Sequence, residues 1–461
     1  MDQPFMTRPD EALAVHESIY GHNSSFVSLE DGRILQICLG GGFVYSDDGA
    51  LTWSEPGNED VRDAHGRMFR CQCRDTNGDP VGGSECSLVK LSEKNAIGLA
   101  VRTADVIAGQ TYASLPAQYK FIFWRSDDAG KTWHPPVRMT APGYSTAGYQ
   151  DSFLRTGSGR IVLPVFHIVG QKNPWKDMIS TPMTGRLINN QQWSSTAGHF
   201  FDPGFSSVYV LYSDDDGRTW QRNEDAELVP HLDWNTAFSY CNEASVTEVS
   251  PGRLLAMMRS GLGRLLQAWS NDNGQTWTCP QPTCLAAATT PAQIRTLPNG
   301  HLLCVWNQES EEEIKRGYSR TRLSSAISRN GGSVWEFFQN VQSIHETTRV
   351  EPGPIHGVRP AELYSEPGQP ALQRDAQHVI GQDVSGLWSY PSVFVGKDRV
   401  LIAHTYTTYE EHPTRADMVQ SSKGENAINQ KLKVLPLKWF YGGKEPCDNS
   451  FLQEAYEPAK P

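Results

Sequence analysis

Six stretches of this chain place a chemically competent polar residue at the same two points of a recurring strand pair. Immediately ahead of the first strand stand His22, Glu85, Asp151, Glu243, Thr290 and Tyr390; immediately after the second stand Gly40, Arg102, His167, Arg259, Asn307 and His404. The turn of each pair lies at its far end, so both sets open on one mouth of whatever the pairs build. The types suit an acid–base site that holds an anion. Carboxylates take up protons, guanidinium forks grip a carboxylate, and imidazoles titrate near neutral pH. An isolated polar residue at a strand end is usually an exposed loop group. Glu, Tyr, Asp and Arg recurring at equivalent positions argue for a shared pocket.

The elements that must position these residues repeat too. Each pair reads as a short apolar run, a polar turn with Gly-Arg or an equivalent, and a second apolar run, as in Ser152-Phe153-Leu154 to Gly159-Arg160-Ile161-Val162-Leu163. Downstream of five pairs comes an octapeptide of the form Ser-x-Asp-x-Gly-x-Thr-Trp: Ser46 to Trp53, Ser126 to Trp133, Ser213 to Trp220, Ser270 to Trp277, and a degraded copy, Ser328 to Trp335. In such a box the Ser and Asp side chains can bond the turn's own backbone, the Gly can take φ > 0, and the Trp can pack beneath. Short strands at even spacing, six pairs of them, predict an all-β fold: a six-bladed β-propeller built from Asp-box hairpins. The blades are expected at about 20–56, 86–136, 150–222, 242–280, 290–337 and 388–441, in a single domain spanning 1–461. Lys431 to Tyr441 is the candidate closing strand, and the Pro-, Gly- and Glu-rich stretch of about 337–387 reads as an inserted excursion at the rim. The boxes belong at the outer edge of the blades, and function belongs where the innermost strands meet at one end of the axis.

Composition narrows the partners. A net charge of −11 over 461 residues advertises no basic face, so nucleic acid is not an expected partner. No run approaches the ~20 apolar residues of a membrane span, and the first residues lack a basic-then-apolar leader, so no membrane partner and a cytoplasmic location are expected, or secretion if a leader has been trimmed. The nine cysteines are odd in number and scattered, which implies no disulfide framework. Cys71-Gln72-Cys73 has no second pair at zinc-site spacing, so neither a metal nor a cofactor is expected.

At this point the chain resembles the sialidases, or neuraminidases, over about residues 20 to 440. The most specific segment is Asn242-Glu243-Ala244-Ser245-Val246, followed by Gly252-Arg253-Leu254-Leu255-Ala256-Met257-Met258-Arg259 and Gly263-Arg264-Leu265 before a box. By that resemblance Glu243 is the general base and Arg259 a carboxylate-binding arginine. Ser389-Tyr390-Pro391-Ser392-Val393 is similar to the family's nucleophile strand, which gives Tyr390 the nucleophile's role, and Arg320 resembles another arginine of the family triad, with Arg322 its rival. The chemistry is coherent. A sialic acid carries a carboxylate on its anomeric carbon, which repels an anionic nucleophile; a neutral phenol avoids that cost, provided a carboxylate takes its proton.

Two departures stand out. Where the family opens its first blade with Arg-Ile-Pro, this chain reads His22-Asn23-Ser24-Ser25, and the loop that carries the family's general-acid aspartate is shortened to Leu39-Gly40-Gly41-Gly42-Phe43. From hairpin position, Arg102 is the substitute cation and Asp151 the substitute acid. His22 and His167 are rival acids, and with Asn307 they complete the expected substrate-binding set. The reading is a retaining exo-glycosidase for a terminal sialic acid or related acidic sugar, with a glycan as partner and a homo-oligomer allowed. Alternatives are a glycosidase for a different acidic glycan, a non-catalytic carbohydrate-binding propeller, and a protein-interaction scaffold using the excursion after Trp335.

Overall fold

The boxes close on themselves as their residue types require. In the second, Ser126 Oγ accepts from Gly130 N at 2.8 Å, and Asp128 accepts from Thr132 N at 2.8 Å and Thr132 Oγ1 at 2.7 Å. Trp133 Nε1 donates to Gly130 O at 3.0 Å, which pins the ring under the turn. The third and fourth boxes repeat all of this, and the first repeats the Ser and Asp bonds. In the fifth, Asn330 Oδ1 accepts from Val334 N at 2.8 Å, and the hydroxyl bond is lost because Val stands where Thr does elsewhere. Two successive residues in every box are left-handed. At the second of them the first box uses Ala50, with φ +71°, where the others use Gly.

These bonds predict an acid sensitivity. The Thr52 hydroxyl and amide hold the Asp48 carboxyl down at about 2, and in Asp128, Asp215 and Asp272 burial pushes upward but the matching Thr bonds prevail, so all four titrate below the ordinary aspartate range. Groups depressed on folding stabilise the protein above their unfolded pKa of about 4 and lose that contribution as pH falls through the folded value. The thermal midpoint should therefore drop between pH 4 and 2. The drop should be shallower when all four aspartates are replaced by Asn; an unchanged slope would discount the boxes as stabilisers.

The computed structural model describes residues 11–17, 24–38, 42–55, 59–62, 68–71, 73–105, 118–140, 146–170, 183–186, 192–195, 204–223, 227–230, 241–315, 318, 320–343, 345–358, 387–407 and 429–446. Among the described residues its strands form seven antiparallel sheets: six are the blades of a six-bladed β-propeller, and the seventh is a two-stranded hairpin of Glu59–Arg62 and Met68–Cys71. The first blade has Ser25–Ser28, Ile34–Cys38 and Gly42–Ser46; the second has Ser84–Lys90, Ile97–Asp105, Gln118–Ser126 and Val137–Arg138. The third is widest, built on Ile161–Gly170 and Gly204–Ser213, with Ala147–Gly148 and Leu154–Arg155 on its inner side. The fourth holds Cys241–Ser250, Arg253–Ser260, Arg264–Ser270 and Gln281–Ala286, and the fifth Ala292–Thr296, Leu302–Asn307, Arg322–Ser328 and Glu336–Ser343. The sixth joins Leu387–Val395 and Arg399–Thr407 to Asn429–Pro436, with Ala14–Glu17 outermost, so strands from both ends of the chain share one sheet.

The apolar core lies between blades. Val27 and Ile37 of the first pack with Leu88 and Leu99 of the second. Phe26 and Val44 pack with Leu401 and Val434 of the sixth, closing the ring. Each alternating strand thus buries side chains on both faces, one toward each neighbouring blade. The closing strand is shorter than expected. It stops at Pro436, which lacks an N–H to continue the ladder, and Leu437–Tyr441 winds into a 3₁₀ turn that buries Trp439, Phe440 and Tyr441. The start of the excursion is bonded to the fourth and fifth blades, through Val358 N to Gly261 O at 2.8 Å and Val350 N to Gln308 Oε1 at 2.8 Å. Its continuation over 359–386 lies outside the described residues.

Candidate active site

Four of the aligned residues share a left-handed backbone, Asp151 among them with φ +55°, and three of the four also sit in bulges. Glu85, Glu243 and Tyr390 have φ of +53°, +41° and +53°, and each sits in a β-bulge near the start of its blade's first strand. In each, three steps along the first strand (Ser84 to Ser87, Asn242 to Ser245, Ser389 to Ser392) oppose two along its partner. An L-residue held left-handed stores strain, and bulges re-aim side chains. Here the re-aiming brings Glu243 onto Arg259 and Glu85 onto Arg102, the latter at 2.7 Å. The two pairs are the same device on alternate blades. Glu243 and Arg259 are 4% and 1% exposed, so their charges are desolvated and depend on each other.

Tyr390 is half-buried, and its ring lies 6.1 Å from that of Tyr149. The Arg320 guanidinium lies 4.9 Å from the centre of the Tyr390 ring and donates to Ser389 Oγ at 3.1 Å. Tyr149 is buried and donates to Pro391 O. Burial pushes its phenol well above the ordinary range, and the Glu243 and Asp151 charges push it further, which places Glu243 in the same neighbourhood as the two rings. Tyr390, with Arg320 against it, and Glu243, with Arg259 against it, are therefore both neighbours of Tyr149, a residue absent from the expected set. Its signal was available: Tyr149-Gln150 directly precedes Asp151 at the head of the third pair.

The expected acid, Asp151, is committed elsewhere. Its Oδ1 accepts from Ser25 Oγ at 2.7 Å and Phe26 N at 3.4 Å; its Oδ2 accepts from Arg295 Nη2 at 2.8 Å and Val393 N at 3.0 Å. Its own N–H donates to Cys86 O at 2.9 Å. Arg295 reaches on to Ser245 Oγ at 3.3 Å, so one ion pair ties all six blades at the axis. Burial raises the carboxyl above the ordinary range against the pull of Arg295, as an acid would need, but both oxygens already accept two donors. Gln150 extends the tie, donating to Tyr390 O at 3.0 Å and accepting from Gln293 at 2.9 Å.

The remaining candidates divide. Asn307 is buried and donates to Trp388 O at 2.7 Å and Arg322 O at 3.3 Å, so it anchors the strand that carries Tyr390. Arg322 is fully buried against Glu313, whereas Arg320 faces Tyr390, which separates the two rivals. Arg102 is bound to Glu85, whose other oxygen accepts from Gly148 N at 2.9 Å, one residue from Tyr149. His167 belongs to a third-blade cluster, stacked on Tyr209 at 4.5 Å and 3.5 Å from Glu227. His22 lies outside the described residues.

A β-propeller that gathers a tyrosine, a buried glutamate and arginines at its axis is of the sialidase-like class. Residues 106–402 match the BNR repeat-like domain family, and the chain belongs to that family as a divergent member of the sialidase-like superfamily. A sialidase of Bacteroides fragilis (strain YCH46) is 24% identical over 225 residues, 47% of this chain and 33% of that protein, so the chain matches about a third of the relative's length. A Dyadobacter fermentans DSM 18053 protein of unknown function superposes with a TM-score of 0.50 at 19% identity, over 92% of this chain and 98% of that one. A Trypanosoma rangeli sialidase mutant displaying trans-sialidase activity does so with a TM-score of 0.50 at 13% identity, over 95% and 60%. Likeness at these identities speaks to the fold.

Proposed function

We propose that this protein is a retaining exo-glycosidase that releases a terminal sialic acid or related acidic sugar through a glycosyl-Tyr390 intermediate. The observation that carries the reading is the Arg320 guanidinium over the Tyr390 ring, beside a buried tyrosine that also feels Glu243. The substrate carboxylate binds Arg320, whose guanidinium lies over the Tyr390 ring. Glu243 then accepts the phenol proton as Tyr390 Oη bonds the anomeric carbon and the aglycone oxygen leaves with a proton. In the second half water attacks the same carbon and gives a proton to the group that protonated the aglycone, while the bond to Tyr390 Oη breaks and Glu243 returns its proton to that oxygen. Asp151 acts as the axial tie, and His22 takes over the proton-donor role.

The test is release of fluorophore from a fluorogenic sialoside by the purified full chain at pH 4 to 8. No release at any pH would sink the sialic-acid form of the proposal. A non-catalytic carbohydrate-binding propeller is the second reading, favoured by the commitment of Asp151 and by the absence of an arginine at 22–25.

A further inference from the structure

Behind Arg320 lies a buried polar cluster that the proposed chemistry does not use. Glu309 is fully buried just after the second strand of the fifth blade. Its Oε1 accepts from Thr321 N at 2.8 Å and Thr321 Oγ1 at 2.6 Å, while its Oε2 lies 4.0 Å from His345 Nε2. His345 Nε2 meets Thr321 Oγ1 at 2.9 Å, and His345 Nδ1 faces Glu313 at 3.5 Å. Glu309, Glu313 and His345 come close enough together to suggest a metal site. Against that, Glu313 already accepts from Arg322 at 2.9 and 3.2 Å and from Ser310 N at 2.7 Å, and a cation there would face the buried Arg322.

What the cluster does hold is the backbone on one side of Arg320. Arg320 has φ +79°, a left-handed conformation that costs a non-glycine residue on the order of 1–3 kcal/mol and persists only when its surroundings over-determine it. On one side its carbonyl accepts from Trp388 N at 2.8 Å, on the strand that carries Tyr390. On the other side the next amide and hydroxyl, both of Thr321, are clamped by Glu309. We infer that Glu309 is a positioning residue, whose buried carboxyl locks Thr321 and so holds Arg320 in the strained conformation that lays its guanidinium over Tyr390. Burial and the Glu313 charge raise the Glu309 carboxyl above the ordinary glutamate range, which favours a neutral acceptor over a rival anion for Arg322.

The inference rests on the reading that Arg320 grips the substrate carboxylate, and two readouts keep the ideas separable. In the ligand-free full chain, Glu309→Ala should speed hydrogen–deuterium exchange over 320–323. With the fluorogenic sialoside it should raise KM by roughly tenfold or more, since sub-ångström placement of a binding group carries large rate effects. Glu309→Gln keeps the acceptor and should behave like the wild type. Thr321→Val should mimic the Ala variant and Thr321→Ser should restore it; these carry the test if Glu309→Ala does not fold. Unchanged exchange and KM in folded Glu309→Ala or Thr321→Val would overturn the positioning role, as would a lowered melting temperature with wild-type KM. If the wild type shows no turnover, the glycosidase reading fails, and exchange alone decides the positioning role: faster supports it, unchanged overturns it.

Discussion

Tyr390→Phe should lower turnover of a sialoside by at least about a thousandfold while leaving affinity for an acidic-sugar transition-state analogue within a few-fold of the wild type. The substitution removes one oxygen and keeps the ring. The tilted ring contact with Tyr149 at 6.1 Å and the Arg320 contact at 4.9 Å therefore survive, and with them the shape of the site. Tyr149 cannot stand in: its hydroxyl is spent on Pro391 O, and burial together with Glu243 keeps it protonated. Steady-state kinetics paired with calorimetric binding reads both halves. Turnover that persists would remove Tyr390 from the nucleophile's role, and binding that collapses would make its hydroxyl a ligand contact. A wild type and variant that bind alike and turn over nothing would favour the carbohydrate-binding reading.

How much of this was legible in the sequence depends on the range of the interactions. An Asp box is written in eight residues because the bonds among its Ser, Asp, Gly, Thr and Trp close within seven positions, as Ser126, Asp128 and Thr132 show. Glu243 and Arg259 sit on one hairpin, sixteen residues apart, so aligning turns was enough to put them at one mouth. The left-handed bulges that turn Glu85 and Tyr390 were not legible, because a bulge is a property of register between two strands. Arg320 and Arg322 could not be separated by strand alternation, since residues two apart share a face; the choice was made by Glu313, on the short helix Glu311–Lys315, which claims Arg322. Asp151 carried the right residue type in the right aligned slot. Its use was set by Ser25 and Val393, 126 and 242 residues away, and no local pattern encodes those contacts.

Asp151→Ala provides the sharpest contrast between a tie and an acid. As the axial tie, its loss leaves Arg295 and the amides of Phe26 and Val393 without their acceptor in the interior, which should cost on the order of 3–5 kcal/mol of stability. Asp151→Asn should not rescue it, because an amide nitrogen would point a donor at groups that are themselves donors. A general acid would behave in the opposite way. Its removal would leave the melting temperature nearly unchanged, slow hydrolysis of sialosides with poor leaving groups, and spare those whose aglycone leaves without protonation. Calorimetric melting of the variant, with rates on two sialosides of unlike leaving group normalised to folded protein, separates the cases. A large fall in melting temperature with rates that do not depend on the leaving group is expected. A stable variant that is slow only on the poor leaving group would return Asp151 to the chemistry, and would require its four donors to let go when substrate binds.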